Sequence, residues 1–325
     1  MSYSPRTRRG AAWTVAGLLA LAALPACGSQ DSGAGAGSGS PAGAARSASA
    51  AAATKPTSGE FRALEREFDA RLGVYALDTG TGRSVGYRVN DRFAYASTFK
   101  ALAAGAVLRK FGTDGIDKVV RFSRDDLVEN SPVSENFVET GMSLRGLCAA
   151  TLWYSDNTAV NLLLRELGGP DGLERVLEDL GDDVTEMDRY ETDMSEGRPG
   201  DIRDTSTPRA MAGSLRAFLL GDALKRDERE LLRRWMTTNV TGGTLIKAGV
   251  PDGWEVADKS GTAGYGGRNN IAVLWPDDGG NPVVMAVMST RGEKDAERHD
   301  ALIAKAATVA VEGLGRWRPS SGPRQ

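Results

Sequence analysis

Ser97 and Lys100, in Ser97-Thr98-Phe99-Lys100, stand three residues apart. On a helix that spacing puts both on one face, with about 5–6 Å between Cβ atoms. A serine hydroxyl is a weak nucleophile until a base comes within hydrogen-bond reach, and an amine one turn later can touch it. At a helix start the hydroxyl also faces the positive end of the macrodipole, where negative charge is stabilised. Ser155-Asp156-Asn157 adds a hydroxyl able to relay a proton and a carboxamide able to hold a substrate amide. In Lys259-Ser260-Gly261-Thr262, Gly261 would let a substrate backbone lie close along a strand edge, and Lys259 would raise the local positive potential. Glu191, in Asp188-Arg189-Tyr190-Glu191, is a loop carboxylate able to serve as a general base toward water. Each motif alone is weak. S-x-x-K arises by chance on the order of once per few hundred residues, and Ser, Asp and Asn are the ordinary helix N-caps.

Composition narrows the chemistry. The 325 residues include 40 Lys+Arg and 43 Asp+Glu, a formal net charge of −3, so no basic excess points to nucleic acid. One histidine, His299, and two cysteines, Cys27 and Cys148, argue against a zinc hydrolase, which needs three or four such ligands. No metal or cofactor is expected, and a Ser-His-Asp hydrolase would have to use His299. The base that activates a nucleophile here is expected to be Lys, Glu or Asp.

The elements that must position these groups follow from apolar periodicity and turn chemistry. Residues 61–68 repeat at helical spacing. Residues 72–77 and 84–89 flank Asp78-Thr79-Gly80-Thr81-Gly82 and read as a hairpin. Helices are expected over 98–110, 143–152, 158–167, 173–180, 207–220 and 226–236, with a charged, Gly/Pro-punctuated loop at 197–204. Three strands are expected at 254–259, 271–275 and 283–289, then a helix over 295–312. Adjacent strands joined by tight turns predict an α/β protein of the α+β type: a five-stranded antiparallel sheet with the terminal helices on one side and the helical block on the other.

Taken together, S-x-x-K at 97, S-D-N at 155, a loop glutamate at 191 and K-S-G at 259 resemble the class A serine β-lactamases. The likeness covers residues 59–312, including the loop frame from Asp188 to Asp204. It implies the β-lactamase and D,D-peptidase fold, with an all-α part beside the sheet and the site between them. It also implies roles. Ser97 would attack the β-lactam carbonyl, with Lys100 and Glu191 sharing the acylation base. Glu191 would activate the deacylating water, and Ser155 would pass a proton to the leaving nitrogen. Asn157 would bind the substrate side-chain amide. Lys259, Ser260, Thr262 and Arg268 would hold the substrate, the amides of Ser97 and Thr262 forming the oxyanion hole. Arg189 and Asp204 match the pair that closes the base of the loop.

Departures from the family pattern carry their own expectations. Ser195 stands where an asparagine usually helps hold the hydrolytic water, which implies slower or more selective deacylation. Asn130 replaces an aromatic at the cleft rim. Cys148 fits a position often disulfide-bonded in relatives, but the partner position is Ala104, so a free buried thiol is expected. His299 stands near the start of the last helix, where relatives place a residue close to the carboxylate-binding arginine, and its default reading is a surface residue at that helix start. A D,D-peptidase shares two motifs but lacks the loop glutamate, and a β-lactam sensor would be acylated and hardly turn over.

The segments outside the catalytic region read as address and tether. Arg6, Arg8 and Arg9 precede an apolar run at 11–23 and then Leu24-Pro25-Ala26-Cys27, which reads as a secretory signal. The last four residues resemble a lipobox, which implies export and a lipid anchor at Cys27. The expected layout is a signal peptide over 1–27, a Gly/Ala/Ser linker over 28–58, a catalytic domain over 59–318 and a disordered tail over 319–325. The domain is expected to act as a monomer on small-molecule β-lactams.

Overall fold

The structure is a computed structural model that describes residues 57–317. The expected signal peptide, nearly all of the linker, Arg318 and the tail lie outside the described residues. Of the linker only Thr57 and Ser58 are described, and Ser58 already begins the first helix.

In chain order come α1 (Ser58–Phe68), β1 (Arg71–Asp78), β2 (Ser84–Tyr87), β3 (Phe93–Ala94) and α2 (Phe99–Gly115). They are followed by β4 (Val119–Val120), β5 (Met142–Ser143), α3 (Leu144–Trp153), α4 (Asn157–Leu167) and α5 (Pro170–Asp179). Next are β6 (Thr205–Ser206), α6 (Pro208–Leu219) and α7 (Arg226–Thr237). The last elements are β7 (Glu255–Thr262), β8 (Arg268–Trp275), β9 (Val283–Thr290) and α8 (Asp300–Gly313).

Five strands form one antiparallel sheet in the order β2-β1-β9-β8-β7. Asp78 Oδ1 shapes the hairpin turn by accepting from the amides of Gly80 and Thr81 at 3.0 and 3.1 Å. β9 is central and apolar on both faces. Val284, Ala286 and Met288 pack into the core shared with α2, α3, α4 and α6, while Val283, Met285 and Val287 pack into the core shared with α1 and α8. The sheet therefore has helices on both sides, as its sequence order implies.

α2 runs through the helical core, and every residue from Phe99 to Leu108 is buried. That is why its alanine-rich sequence is apolar all round rather than on one stripe. Ser143, Asp156 and Thr207 cap α3, α4 and α6 by accepting amide hydrogens from Gly146, Ala159 and Ala210. Each such cap is worth about 1 kcal/mol.

Four elements differ from expectation in their bounds. β7 extends to Thr262 and β8 begins at Arg268, because buried polar residues (Ser260, Asn269, Asn270) continue the pairing past the apolar stretches. α8 begins at Asp300, after a charged stretch that holds no large apolar side chain before Leu302. α2 continues to Gly115, with Gly112 at φ 66° marking a kink.

Candidate active site

Ser97 sits in a 3-10 turn, Ala96–Thr98, that leads directly into α2. The expected contact between Ser97 and Lys100 is replaced by a shared partner. Ser97 Oγ donates to Glu191 Oε1 at 3.1 Å, and Lys100 Nζ lies 3.2 Å from the same oxygen. A loop carboxylate bridges the two side chains.

Gly261 is needed for a neighbour other than substrate. A Cβ there would lie 2.8 Å from the Tyr95 carbonyl and 3.1 Å from the Thr98 amide, so its bareness lets β7 press against the segment carrying Ser97. Asn269 of β8 fastens the same segment by donating to the carbonyls of Ala94 and Tyr95.

Lys100 is wholly buried, and its ammonium donates to Asn157 Oδ1 at 2.5 Å, Ser155 O at 2.8 Å and Ser155 Oγ at 3.2 Å. Burial lowers its pKa, and Glu191 opposes that fall. Lys259 reaches Ser155 Oγ from the other side, also at 3.2 Å, and donates to Ser260 O at 2.8 Å. Burial, reinforced by the charge of Lys100, pushes the Lys259 pKa down to about 7. One hydroxyl thus lies between two amines. Ser155 also has a left-handed backbone, φ 59°, as do Ala96 at 47° and Asn130 at 61°. Three strained non-glycine residues around one cleft are the pattern of a site held rigid by its surroundings.

The loop that carries Glu191 is anchored at several points. Asn161 of α4 donates to Glu191 O at 2.8 Å and accepts from Glu191 N at 2.9 Å. Ser195 Oγ donates to Glu191 Oε2 at 2.9 Å, so both carboxylate oxygens are engaged. At the loop base, buried Asp204 accepts from Arg189 Nε at 2.5 Å and from the amides of Asp188 and Arg189, each at 3.0 Å. Asp204→Ala is therefore expected to destabilise the domain by about 3 kcal/mol, leaving two amides and part of a guanidinium unpaired. Denaturant unfolding checks it, and a loss under about 1 kcal/mol would mean the loop base is wetter than this packing implies.

Arg268 at the start of β8 donates to Thr262 Oγ1 at 2.9 Å and to Asp300 Oδ1 at 2.6 Å. Asp300, not His299, is the residue that meets the arginine. His299 instead packs its ring on Phe68, centroids 5.5 Å apart. Ser260 Oγ donates to Thr241 Oγ1 at 2.9 Å. Asn130 Nδ2 lies 3.5 Å from Ser155 O, and its own carbonyl accepts from the Asn157 amide. Cys148 is buried and makes no disulfide among the described residues, and burial pushes its thiol up.

The structure therefore brings Ser97, Lys100, Ser155, Asn157, Glu191 and Lys259 into one connected cluster, with Thr262 and Arg268 joined to each other. Sequence reasoning missed Asn161 and Asp300. Asn161 lies four residues after Asn157, on the same face of α4, and that spacing was the available signal. It also missed Asp258, whose carboxylate, one residue before Lys259, accepts from Asn239 and Asn270.

Comparison with known proteins adds an independent line. A family model described as "Beta-lactamase enzyme family" matches residues 56–314. A β-lactamase of Amycolatopsis lactamdurans is 57% identical over 256 residues, covering 79% of this chain and 84% of that protein. A crystal structure of a halotolerant bacterial β-lactamase superposes with a TM-score of 0.78 at 51% identity, over 79% of this chain and 98% of that one. A class A β-lactamase from Clostridium kluyveri gives the same TM-score and coverages at 45% identity. With the fold, the cluster of polar groups and these relatives in agreement, the chain belongs to the β-lactamase enzyme family, among its class A serine members.

Proposed function

We propose that the chain hydrolyses the amide bond of β-lactams, penicillins and cephalosporins among them, through an acyl-enzyme on Ser97 that a Glu191-activated water releases. Ser97 Oγ attacks the lactam carbonyl carbon as its proton passes to Glu191 or, through the shared oxygen, to Lys100. The oxyanion forms against the amides of Ser97 and Thr262, an arrangement typically worth about 3 kcal/mol per donor. The ring C–N bond then breaks, and the nitrogen takes a proton from Ser155, which Lys100 or Lys259 can replenish across 3.2 Å. Glu191 is left as a carboxylate once the Ser97 proton has passed across 3.2 Å to the Lys100 amine that replenished Ser155. It then takes a proton from a water that adds to the ester carbonyl, and the Ser97 oxygen leaves and takes that proton back from Glu191. The observation that carries this reading is the 3.1 Å hydrogen bond from Ser97 Oγ to Glu191 Oε1, which puts the base for the second step beside the group acylated in the first. It also favours a turning-over enzyme above a sensor. Mixing the domain with benzylpenicillin should release penicilloic acid and give a transient mass adduct on the Ser97 peptide. A permanent adduct without product would make the chain a sensor, and no adduct with no product would end the reading.

Lys259 and Arg268 are the cations for the substrate carboxylate. The ammonium of Lys259 is charged below its depressed pKa of about 7 and neutral above it. kcat/KM for benzylpenicillin should therefore fall on an alkaline limb as pH rises through that value, through KM more than kcat. Lys259→Arg, whose guanidinium stays protonated, should move the limb upward. A profile unchanged by the substitution would remove Lys259 from carboxylate binding.

We also propose export and lipid anchoring at Cys27, supported by the apolar run at 11–23 and the Leu24-Pro25-Ala26-Cys27 motif. Membrane fractionation of a Cys27→Ser variant tests it, and unchanged membrane association would refute it.

A further inference from the structure

A cavity of about 1000 Å³ lies between α1, residues 197–203 of the loop and the segment that follows β9. None of the residues of the catalytic cluster lines it. Its wall carries nine arginines against three acidic side chains. Seven of the arginines are paired with carboxylates in or behind the wall, among them Arg203 with Asp201 and Arg291 with Asp69. The other two, Arg62 and Arg66, are exposed and make no ion pair among the described residues. They stand four apart on α1 and therefore share one face.

Such a wall is built unlike an ordinary charged surface. Guanidinium groups present forked donors that match phosphate oxygens two at a time. Unpaired cations at a concave wall raise the local concentration of anions, and here the cations unpaired among the described residues are Arg62 and Arg66. Arg189 is held by Asp204 as well as Glu196, while Arg198 has Glu196 alone among the described residues, and the Arg198 side chain keeps 63% of its surface exposed. The volume suits a chain of two or three phosphates, at the upper end of small-molecule sites at about 300–1000 Å³. A monovalent anion would offset only one of the two unpaired guanidinium charges.

We propose that this cavity binds a multivalent phosphate, held by Arg62 and Arg66 of α1 on one side and Arg198 and Arg203 of the loop on the other. The bound ligand ties the outer half of the loop to α1. The inner half carries Glu191 and Ser195, and the Ser195 carbonyl accepts from the Gly264 amide at 3.0 Å, two residues beyond Thr262. Free polyphosphate and the phosphates of a membrane surface offer the same chemistry. Binding itself is independent of the hydrolase reading, so its test does not use turnover.

Calorimetric titration of the domain with tripolyphosphate, at a fixed ionic strength of about 0.15 M, should give saturable one-to-one binding. The double variant Arg62→Ala, Arg66→Ala should weaken it about tenfold or more. Alanine preserves the helix, and an unchanged circular dichroism melt separates a lost site from a lost fold. Arg198→Ala tests the loop side independently and carries the same expectation. Sedimentation with phosphatidylglycerol vesicles separates the sources. Binding that tripolyphosphate abolishes places lipid phosphate in this cavity, and vesicle binding that tripolyphosphate leaves intact is general surface adsorption and counts against it. No saturable binding of tripolyphosphate, or wild-type affinity in the α1 and loop variants, overturns the proposal.

Discussion

A Glu191→Gln enzyme is expected to be acylated by benzylpenicillin and to stay acylated, with deacylation slowed about 10²–10⁴-fold, the usual worth of a general base. The amide is nearly isosteric, and the backbone bonds to Asn161 that hold the position are untouched. The ability to accept a proton is lost. The substitution also removes the one carboxylate paired with buried Lys100 among the described residues. Its loss lowers the Lys100 pKa further, favouring a neutral amine that can take the Ser97 proton in place of Glu191. Acylation should therefore persist while release fails, and the two steps separate in one variant. Intact-mass time courses check this. An adduct that clears at the wild-type rate would show that another group activates the water. The same assay reads Ser195. A Ser195→Asn variant is expected to deacylate about three- to tenfold faster, the scale of one better-placed hydrogen bond, and an unchanged rate would show that the serine costs nothing.

The four motifs were legible in the sequence because each is a local run whose order along the chain is readable. The sheet was legible for a related reason, since turn residues between apolar runs mark hairpins. What the sequence hid is long-range. Ser97 and Lys100 share a face in any helical reading, yet their meeting point is an oxygen of Glu191, 94 residues away from Ser97. Gly261 looked like room for a ligand, and the space is filled by the Tyr95 carbonyl. His299 and Asp300 are neighbours in sequence, but only the latter faces Arg268. The polar ends of β7 and β8 looked like loop because buried Asn269 and Asn270 bond across the core instead of to water. Buried polar groups must find partners, but sequence spacing does not say which.

Ser97→Ala is expected to lower kcat/KM for benzylpenicillin about 10⁶-fold, the scale seen when a serine nucleophile is removed from an acyl-transfer site. The substitution should leave the fold nearly intact. Ser97 Oγ makes one side-chain hydrogen bond, to Glu191, and its loss costs about 1 kcal/mol. Lys100 and Glu191 remain paired, and Lys259 and Arg268 remain available for the carboxylate, so substrate affinity measured by calorimetry should change little. The residual rate is informative in its own right. Glu191 is still placed to activate a water, and a direct attack of that water on the lactam would need no covalent intermediate. If the alanine variant kept more than about a hundredth of the wild-type kcat, too large a remainder for a lost nucleophile, the direct route would carry the reaction and acylation at Ser97 would be incidental. If the rate collapses while binding survives, the hydroxyl is the nucleophile, and the Glu191 carboxylate beside it serves the second half of the cycle.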